Sequence, residues 1–226
     1  MALNIVQQID NRIKINNVII SVSDKTDLPN LVNKLLQINP DLKIFSTGGT
    51  YKFISEAIGE MCRKNLISVS DYTGQPEMQG GLVKTLDFKI YLGLLSETYN
   101  EHHIKDMERI GAVAFDMVVV NLYPFVKTVA RPGVKVEEAR TNIDIGGPCM
   151  IRAAAKNFIR IAAVTDPADY QLVLEELEKN AGTIGLKMRF ILAQKAFGHT
   201  AAYDRAISEY LGSRNINDVS SCYTIL

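Results

Sequence analysis

The stretch Thr141–Asn157, TNIDIGGPCMIRAAAKN, contains the residue types best suited to chemistry. Asp144 lies between isoleucines, and a carboxylate in apolar surroundings is costly to bury unless it is paired or used. The adjacent Gly146 and Gly147 allow a close approach of the backbone to a ligand, and the residues after them predict a helix that ends near Lys156. These groups could surround one bound molecule. The alternative is a strand-to-helix turn in which Asp144 caps the helix and Lys156 is solvated.

Two short loops have the composition of a phosphate site. Each follows an apolar run that predicts a strand and precedes a predicted helix, and ligands of parallel sheets bind at such strand ends. Backbone N–H groups at a helix N-terminus suit a phosphate. The candidate residues are Ser23, Asp24 and Lys25 in the first loop, and Ser46, Thr47, Gly48, Gly49 and Thr50 in the second. A tight turn at the two glycines is the alternative, but two such loops in one sheet favour a nucleotide monophosphate.

Two further side chains are candidates. Lys84 is a cation among apolar residues, although its stem could equally lie on an apolar surface with the ammonium in water. Tyr123 follows the strongest predicted strand, Asp116–Asn121, so its phenol is expected at the same sheet edge as the two loops. A phenol there can donate to a developing oxyanion or relay a proton, although many such tyrosines are structural.

The elements that would position these residues alternate between strand and helix. Short apolar runs predict strands near 18–22, 43–45, 66–69, 116–121 and 161–164. Amphipathic segments between and after them predict helices, with a long helix or helix pair over 185–211. This order predicts a three-layer α/β fold, with a mainly parallel sheet covered by helices on both faces. We expect an extension over 1–15, one domain over 16–212 and a polar tail over 213–226.

Composition excludes several functional classes. The 25 basic and 25 acidic residues cancel, so no electrostatic case exists for nucleic acid or an anionic membrane. The three widely spaced cysteines are typical of reduced thiols. His102 and His103 diverge on a helix and make a poor metal pair, so we expect no metal. The N-terminus has no apolar signal region and no apolar run is long enough to span a bilayer, so we expect a cytoplasmic protein.

Several motifs together resemble one family. NIDIGGP and RAAAKN in Thr141–Asn157 resemble the core motif of the IMP cyclohydrolase domain, the N-terminal half of bifunctional AICAR transformylase/IMP cyclohydrolase. SVSDKT (21–26), STGGT (46–50), SDYTG and PEM (70–78), NLYPFVKTVA with PGV (121–134), and KAF, HTA and YD (195–204) match in the same order. The resemblance covers roughly 17–211 and implies a methylglyoxal synthase-like fold.

The resemblance implies closure of formyl-AICAR ribonucleotide to IMP with loss of water, without a cofactor. It makes Lys156 the proton donor and acceptor, puts Asp144 and Tyr123 beside it, and makes Lys84 an electrostatic stabiliser. The other residues that it puts around the substrate, besides the two phosphate loops, are Leu82, Val83, Thr85, Val120, Asn121, Ile145, Gly146 and Gly147. It also implies a homodimer. Because 226 residues leave no room for the transformylase half, a separate formyl-transferring protein is expected if the chain stands alone.

One segment departs from the family pattern. Where the family has G-R-V-K-T-L-H-P and a further histidine, this chain has Leu82, Asp87, Phe88 and Tyr91 at the altered positions. Loss of the arginine and gain of an acid predict weaker binding of an anionic substrate. Two alternatives to an active cyclohydrolase therefore stay open: a non-catalytic relative that binds a purine nucleotide, and methylglyoxal synthase-like chemistry on triose phosphates.

Overall fold

The computed structural model describes residues 5–75 and 85–226. The strands of its central sheet form at the apolar runs that the sequence predicted, each of which can be buried on both faces of a parallel sheet. The strands are β1 (Arg12–Lys14), β2 (Asn17–Val22), β3 (Lys43–Ser46), β4 (Leu66–Ser68), β5 (Met117–Asn121), β6 (Ala162–Val164) and β7 (Thr183–Gly185). The central sheet has the order β4-β3-β2-β5-β6, and every neighbouring pair in it is parallel. Strands β1 and β7 form a separate antiparallel pair.

Helices follow the strands of the central sheet, as parallel connections require. The α-helices in the described ranges are α1 (Leu28–Ile38), α2 (Gly48–Ile58), α3 (Val69–Thr73), α4 (Phe88–Leu95), α5 (Glu101–Ile110), α6 (Phe125–Val129), α7 (Val136–Thr141), α8 (Gly146–Lys156), α9 (Tyr170–Lys179), α10 (Leu186–Gly212) and α11 (Ile216–Ser220). The long C-terminal segment is thus one helix, one of the two forms that the sequence predicted.

The central sheet is covered on both faces because successive side chains of a strand point in opposite directions. Val18 and Ile20 of β2 pack in a cluster with residues of α1, α2 and α9. Ile19, between them, packs in a second cluster with residues of α4, α8 and α10. These two cores confirm the predicted three-layer α/β fold with a parallel sheet.

The starts of several helices depend on individual residues. Gly48 and Gly49, for which a tight turn was the alternative, form the first turn of α2. Asp27 precedes α1 and is of a type that often caps helices, but it has a φ of 56° and no side-chain bond to the helix amides. Helices α3 and α4 lie on either side of residues 76–84, which are outside the described ranges, and the Asp87 carboxylate caps α4 by accepting a bond from the Lys89 amide at 2.8 Å.

The expected extension and tail both contain regular structure. Strand β1, within 1–15, pairs with β7, and α11, within 213–226, lies against α7. Tyr223 after α11 donates a hydrogen bond from its phenol to the Glu137 carboxylate on α7. The domain boundaries at residues 16 and 212 stay predictions, since regular structure lies on both sides of each.

A buried arginine joins the β1–β7 pair to the main domain. The Arg189 side chain on α10 is fully buried, and burial lowers its pKa to about 10. Its guanidinium donates hydrogen bonds to five backbone carbonyls at 2.8–3.2 Å. These carbonyls belong to Asp10 and Asn11 before β1, Ile184 in β7, and Phe158 and Ile159 after α8. One cation therefore satisfies polar groups from three separate segments.

We expect Arg189→Lys to lower the free energy of unfolding by roughly 3 kcal/mol or more. An ammonium cannot span five carbonyls, and each lost bond to a charged donor is worth about 1.5–3 kcal/mol. Denaturant unfolding measures the change. Arg205→Lys on the exposed face of the same helix is the control, expected within about 0.5 kcal/mol of the wild type. Equal stabilities of the two variants would contradict the role given to Arg189.

Candidate functional site

A cavity of about 290 Å³ opens at the carboxyl ends of β2, β3 and β5, the edge that the sequence predicted for the ligand. It also borders the start of α8, so strand ends and helix ends meet in it. The lining residues are Ser21, Val22, Ser23, Lys25, Thr47, Gly49, Thr50, Thr85, Val120, Asn121, Tyr123, Thr141, Ile143, Asp144, Ile145, Gly146, Gly147 and Met150.

Asn121, the last residue of β5, holds the loop after β2. Its Oδ1 accepts bonds from the amides of Ser23 at 2.7 Å and Asp24 at 2.8 Å, and its Nδ2 donates to the Asp24 carbonyl at 2.9 Å. These two loop amides were expected to be free for a phosphate. They are occupied by the protein, so Asn121 shapes the cavity by fixing this loop.

The hydroxyls of the second loop divide into two groups. Ser46 is fully buried and donates to the Ile20 carbonyl at 2.8 Å, and Thr50 bonds both the amide and the carbonyl of Val22. The Ser46 hydroxyl joins the ends of β3 and β2, and the Thr50 hydroxyl joins the first turn of α2 to the end of β2. Thr47 instead faces the cavity, where its Oγ1 lies 2.8 Å from Ser21 Oγ. It stands just before Gly48 and Gly49, whose amides begin α2 and have no acceptor within the helix, whereas the Thr50 amide donates to the Thr47 carbonyl at 2.9 Å.

Lys25 supplies positive charge at this end of the cavity. Its Nζ lies 3.4 Å from the carbonyls of both Val22 and Ser23, so the ammonium is folded back over its own loop. These contacts are longer than ordinary N–H···O bonds and leave donor capacity for an anion. Lys25, Thr47 and the first turn of α2 therefore form a suitable place for a phosphate.

Asp144 also lines the cavity, and it lies before α8, which packs on the other face of the sheet from α2. Its Oδ1 accepts a bond from the Gly147 amide at 2.8 Å, so the carboxylate caps the helix as one of the two sequence interpretations proposed. Burial raises the pKa of Asp144, although bonds from the amides of Gly147 and Tyr123 oppose that rise. A desolvated carboxylate at a cavity wall can accept or return a proton.

The two glycines after Asp144 are required by close packing. A Cβ on Gly146 would lie 2.4 Å from Thr85 Oγ1, and one on Gly147 would lie 2.6 Å from Leu122 Cδ2 and 2.7 Å from Asp144 Oδ2. Real Cβ atoms do not approach other atoms so closely, so any larger residue would displace the helix start or the carboxylate. The glycines thus set the distance between Asp144 and the rest of the cavity.

Tyr123 extends from the end of β5 to the rim of the cavity. Its side chain is 48% exposed, so the phenol is available to a bound molecule and to water. Asp144 and Tyr123 therefore lie in one cavity with Thr85, as the sequence predicted. Residues Leu82, Val83 and Lys84 lie outside the described residues.

Lys156 is separated from this group. It is exposed at the last position of α8, whereas Asp144 lies before the first, and eleven helical residues span about 15 Å. A single copy of the chain therefore does not bring Lys156 and Asp144 around one bound group, and the role of Lys156 stays a prediction. Asp24, Ser46 and Gly48, also expected around the ligand, are absent from the cavity lining. The Asp24 carboxylate accepts bonds from the amide and hydroxyl of Thr26.

Five lining residues were missed: Ser21, Val22, Thr141, Ile143 and Met150. Ser21 and Val22 end the strand that the sequence predicted, and their proximity to Ser23 was a usable signal. Thr141 and Ile143 precede Asp144, and Met150 lies one helical turn after Gly146, a spacing that puts it on the same side of α8.

The described residues contain no group of three or more His, Cys, Asp or Glu side chains arranged to hold a metal ion. No described helix is both long and apolar enough to cross a membrane. Among the described residues, the groups that line the cavity and could contact a ligand are amides, hydroxyls, one ammonium, one phenol and one carboxylate.

We expect Gly147→Ala to destabilise the protein by about 1–3 kcal/mol, the usual cost of forcing an extra carbon into a packed site. Gly198→Ala on α10 is the matched control, because nothing lies within 4 Å of its added Cβ. That helical substitution should stabilise by about 0.5–1 kcal/mol. Denaturant unfolding of the two variants measures both changes, and a stabilised Gly147→Ala protein would show that α8 can withdraw without cost.

Comparison with known proteins gives consistent matches. Residues 27–149 match the family model of the MGS-like domain, and residues 154–225 match that of the AICARFT/IMPCHase bienzyme. The bifunctional purine biosynthesis protein PurH of Ruminiclostridium cellulolyticum is 45% identical over 197 residues, which cover 87% of this chain and 37% of the relative. PurH of Thermoanaerobacter sp. is 48% identical with the same coverage. The chain thus spans little more than a third of the length of these curated relatives.

A solved structure is also similar. The structure described as the crystal structure of ForH aligns with a TM-score of 0.77 and 32% sequence identity. The alignment covers 87% of this chain and 97% of that chain, so the whole fold of the solved protein is matched here.

Proposed function

The chain belongs to the MGS-like domain family, and on that premise we propose that it is an IMP cyclohydrolase of purine biosynthesis. The proposed reaction closes formyl-AICAR ribonucleotide to IMP with loss of water. The proposal is supported by the match of residues 154–225 to the AICARFT/IMPCHase model and by the similarity to PurH. The structural observation that carries it is a single cavity lined by the Lys25 ammonium and the Thr47 hydroxyl and also by a desolvated carboxylate, Asp144.

The substrate phosphate would bind between Lys25, Thr47 and the start of α2. The ammonium, the hydroxyl and the amides of the first helical turn are all donors, and the helix N-terminus favours negative charge. The base would then extend along the ends of β2 and β5 towards Asp144, bordered by Val120 and Asn121. This orientation directs the reacting groups away from the phosphate and to the carboxylate.

The ring closure needs two proton transfers at neighbouring atoms. The carboxamide nitrogen attacks the formyl carbon and loses a proton, while the formyl oxygen gains one, which gives a carbinolamine. Breaking its C–O bond, with loss of a proton from the other nitrogen, forms the C=N bond and releases water. We assign the proton acceptance to Asp144 and the donation to the formyl oxygen to Tyr123, whose phenol lies at the rim of the same cavity. Holding the two reacting groups in contact supplies a further part of the rate.

Other assignments rest on the family resemblance alone. Lys84 as electrostatic stabiliser lies outside the described residues. Lys156 as proton donor and acceptor has no support from the geometry of one copy of the chain, because α8 separates it from the cavity. A homodimer, a separate formyl-transferring protein and a cytoplasmic location likewise stay predictions.

The proposed function predicts that the protein converts formyl-AICAR ribonucleotide to IMP, followed by ultraviolet absorbance. Because burial raises the pKa of Asp144, kcat should fall as the pH drops through a value above 3.8, where the carboxylate gains its proton. Asp144→Asn should remove this acid limb and lower kcat by about 10²–10⁴-fold, the usual contribution of a positioned acid–base group. Nucleotide binding, without conversion, would instead favour the non-catalytic relative.

The same variant separates catalysis from folding. A carboxylate whose folded pKa is raised destabilises the folded state above that pKa, and the penalty disappears as the pH falls below the unfolded pKa. The side-chain amide introduced by Asp144→Asn keeps an oxygen for the Gly147 amide without that charge, so the variant should be at least as stable as the wild type at pH 7. A variant that is both inactive and strongly destabilised at pH 7 would point to a structural role for Asp144.

The altered segment predicts a raised KM, because the substrate should bind more weakly. The family arginine at position 82 is replaced by Leu82, and a charge-assisted contact is worth about 1.5–3 kcal/mol, or roughly ten- to a hundredfold in affinity. Leu82→Arg should therefore lower KM by about that factor with a smaller change in kcat, measured by steady-state kinetics. Leu82→Gln is the uncharged control. Asp87 is kept because its carboxylate caps α4, and equal KM values for the two variants would contradict the prediction.

A further inference from the structure

Tyr203, on the long helix α10, bonds directly to the turn that carries Asp144. Its hydroxyl accepts a hydrogen bond from the Asp144 amide at 2.9 Å and donates one to the Asn142 carbonyl at 3.2 Å. The phenol therefore holds the backbone at both ends of the three-residue turn 142–144. Tyr203 is outside the cavity lining, so it does not touch a ligand itself.

The turn depends on the Tyr203 hydroxyl because the other backbone amides of the turn bond to α7, the helix just before it. The amides of Asn142 and Ile143 donate to carbonyls of Ala139 and Arg140 in α7. The Asp144 amide instead bonds to α10, while the Asp144 carboxylate bonds to the amides of Gly147 and Tyr123. Its carboxylate must reach the Gly147 amide on α8, so a shift of the Asp144 backbone would move the carboxylate relative to the cavity.

The Tyr203 ring is itself held in place. It is 8% exposed and packs edge-on against Phe125, with ring centroids 6.2 Å apart. Phe125 belongs to α6, which follows the cavity residue Tyr123. Edge-to-face aromatic contacts of this kind add stability beyond the area buried, and they fix the direction of the hydroxyl.

We propose that Tyr203 is a positioning residue that sets the Asp144 carboxylate within the cavity through the Asp144 backbone. The inference rests on the proposed function for its effect on turnover, but the contact itself does not. Tyr210 provides a matched control. It lies seven residues further along α10, is 7% exposed and packs edge-on against the same Phe125 at 5.8 Å, but its hydroxyl has no hydrogen-bond partner among the described residues.

The test compares Tyr203→Phe with Tyr210→Phe, since both keep the ring and remove only the hydroxyl. Tyr203→Phe removes both hydrogen bonds to the turn; through loss of the one to the Asp144 amide it should lower kcat by about tenfold, and it should leave KM for formyl-AICAR ribonucleotide within about twofold. Tyr210→Phe should leave both constants unchanged. Amide hydrogen exchange, followed by NMR, should show faster exchange of the Asp144 N–H in Tyr203→Phe alone.

The two readouts separate failure of the inference from failure of the proposed function. Unchanged Asp144 exchange in Tyr203→Phe would overturn the inference, as would equal losses of kcat in the two variants, which would indicate a packing effect. If the wild type does not convert the substrate, the proposed function fails and the exchange comparison alone decides whether Tyr203 fixes the turn.

Discussion

Burying a parallel sheet on both faces is the constraint from which the site follows. Each strand must be joined to the next by a connection that crosses a face, and helices fill that role here. The chain therefore leaves β2, β3 and β5 at the same edge, and the polar residues after these strands meet there without any direct attraction between them. Helices α2 and α8, which border the cavity at this edge, are each anchored in one of the two apolar cores.

Most polar groups at this edge hold the protein together. Asn121 satisfies the loop after β2, the Ser46 hydroxyl joins β3 to β2, and the Thr50 hydroxyl joins α2 to the end of β2. An unpaired buried donor or acceptor is costly, so these bonds are needed before any ligand arrives. The groups left for a ligand are few, and they lie at opposite sides of the cavity: a cation near α2 and a carboxylate near α8. The cavity therefore has a cationic end and an acidic end.

The sequence was sufficient for the fold because strand pattern and helix pattern are local. It was also sufficient to bring Ser23, Thr47, Tyr123 and Asp144 to one edge, since each follows a predicted strand or precedes a predicted helix. It could not tell which hydroxyls face the cavity, because Ser46 and Thr47 are adjacent and differ only in direction. Nor could it tell that Lys156 lies apart from Asp144 within one copy of the chain, because a motif is contiguous in sequence but α8 separates its two ends in space. The contact between Tyr203 and Asp144 could not be predicted from the sequence, since it joins residues 59 positions apart.

The five carbonyls around Arg189 have a consequence for how the structure opens. Two of them belong to the segment before β1, so peeling β1 away from β7 would leave a fully buried guanidinium short of two acceptors. Leaving a buried charge without these acceptors is unfavourable, and this alone should oppose separation of β1 from β7. The β1–β7 pair should therefore belong to the same cooperative unit as α10, and local opening should begin at other points of the chain.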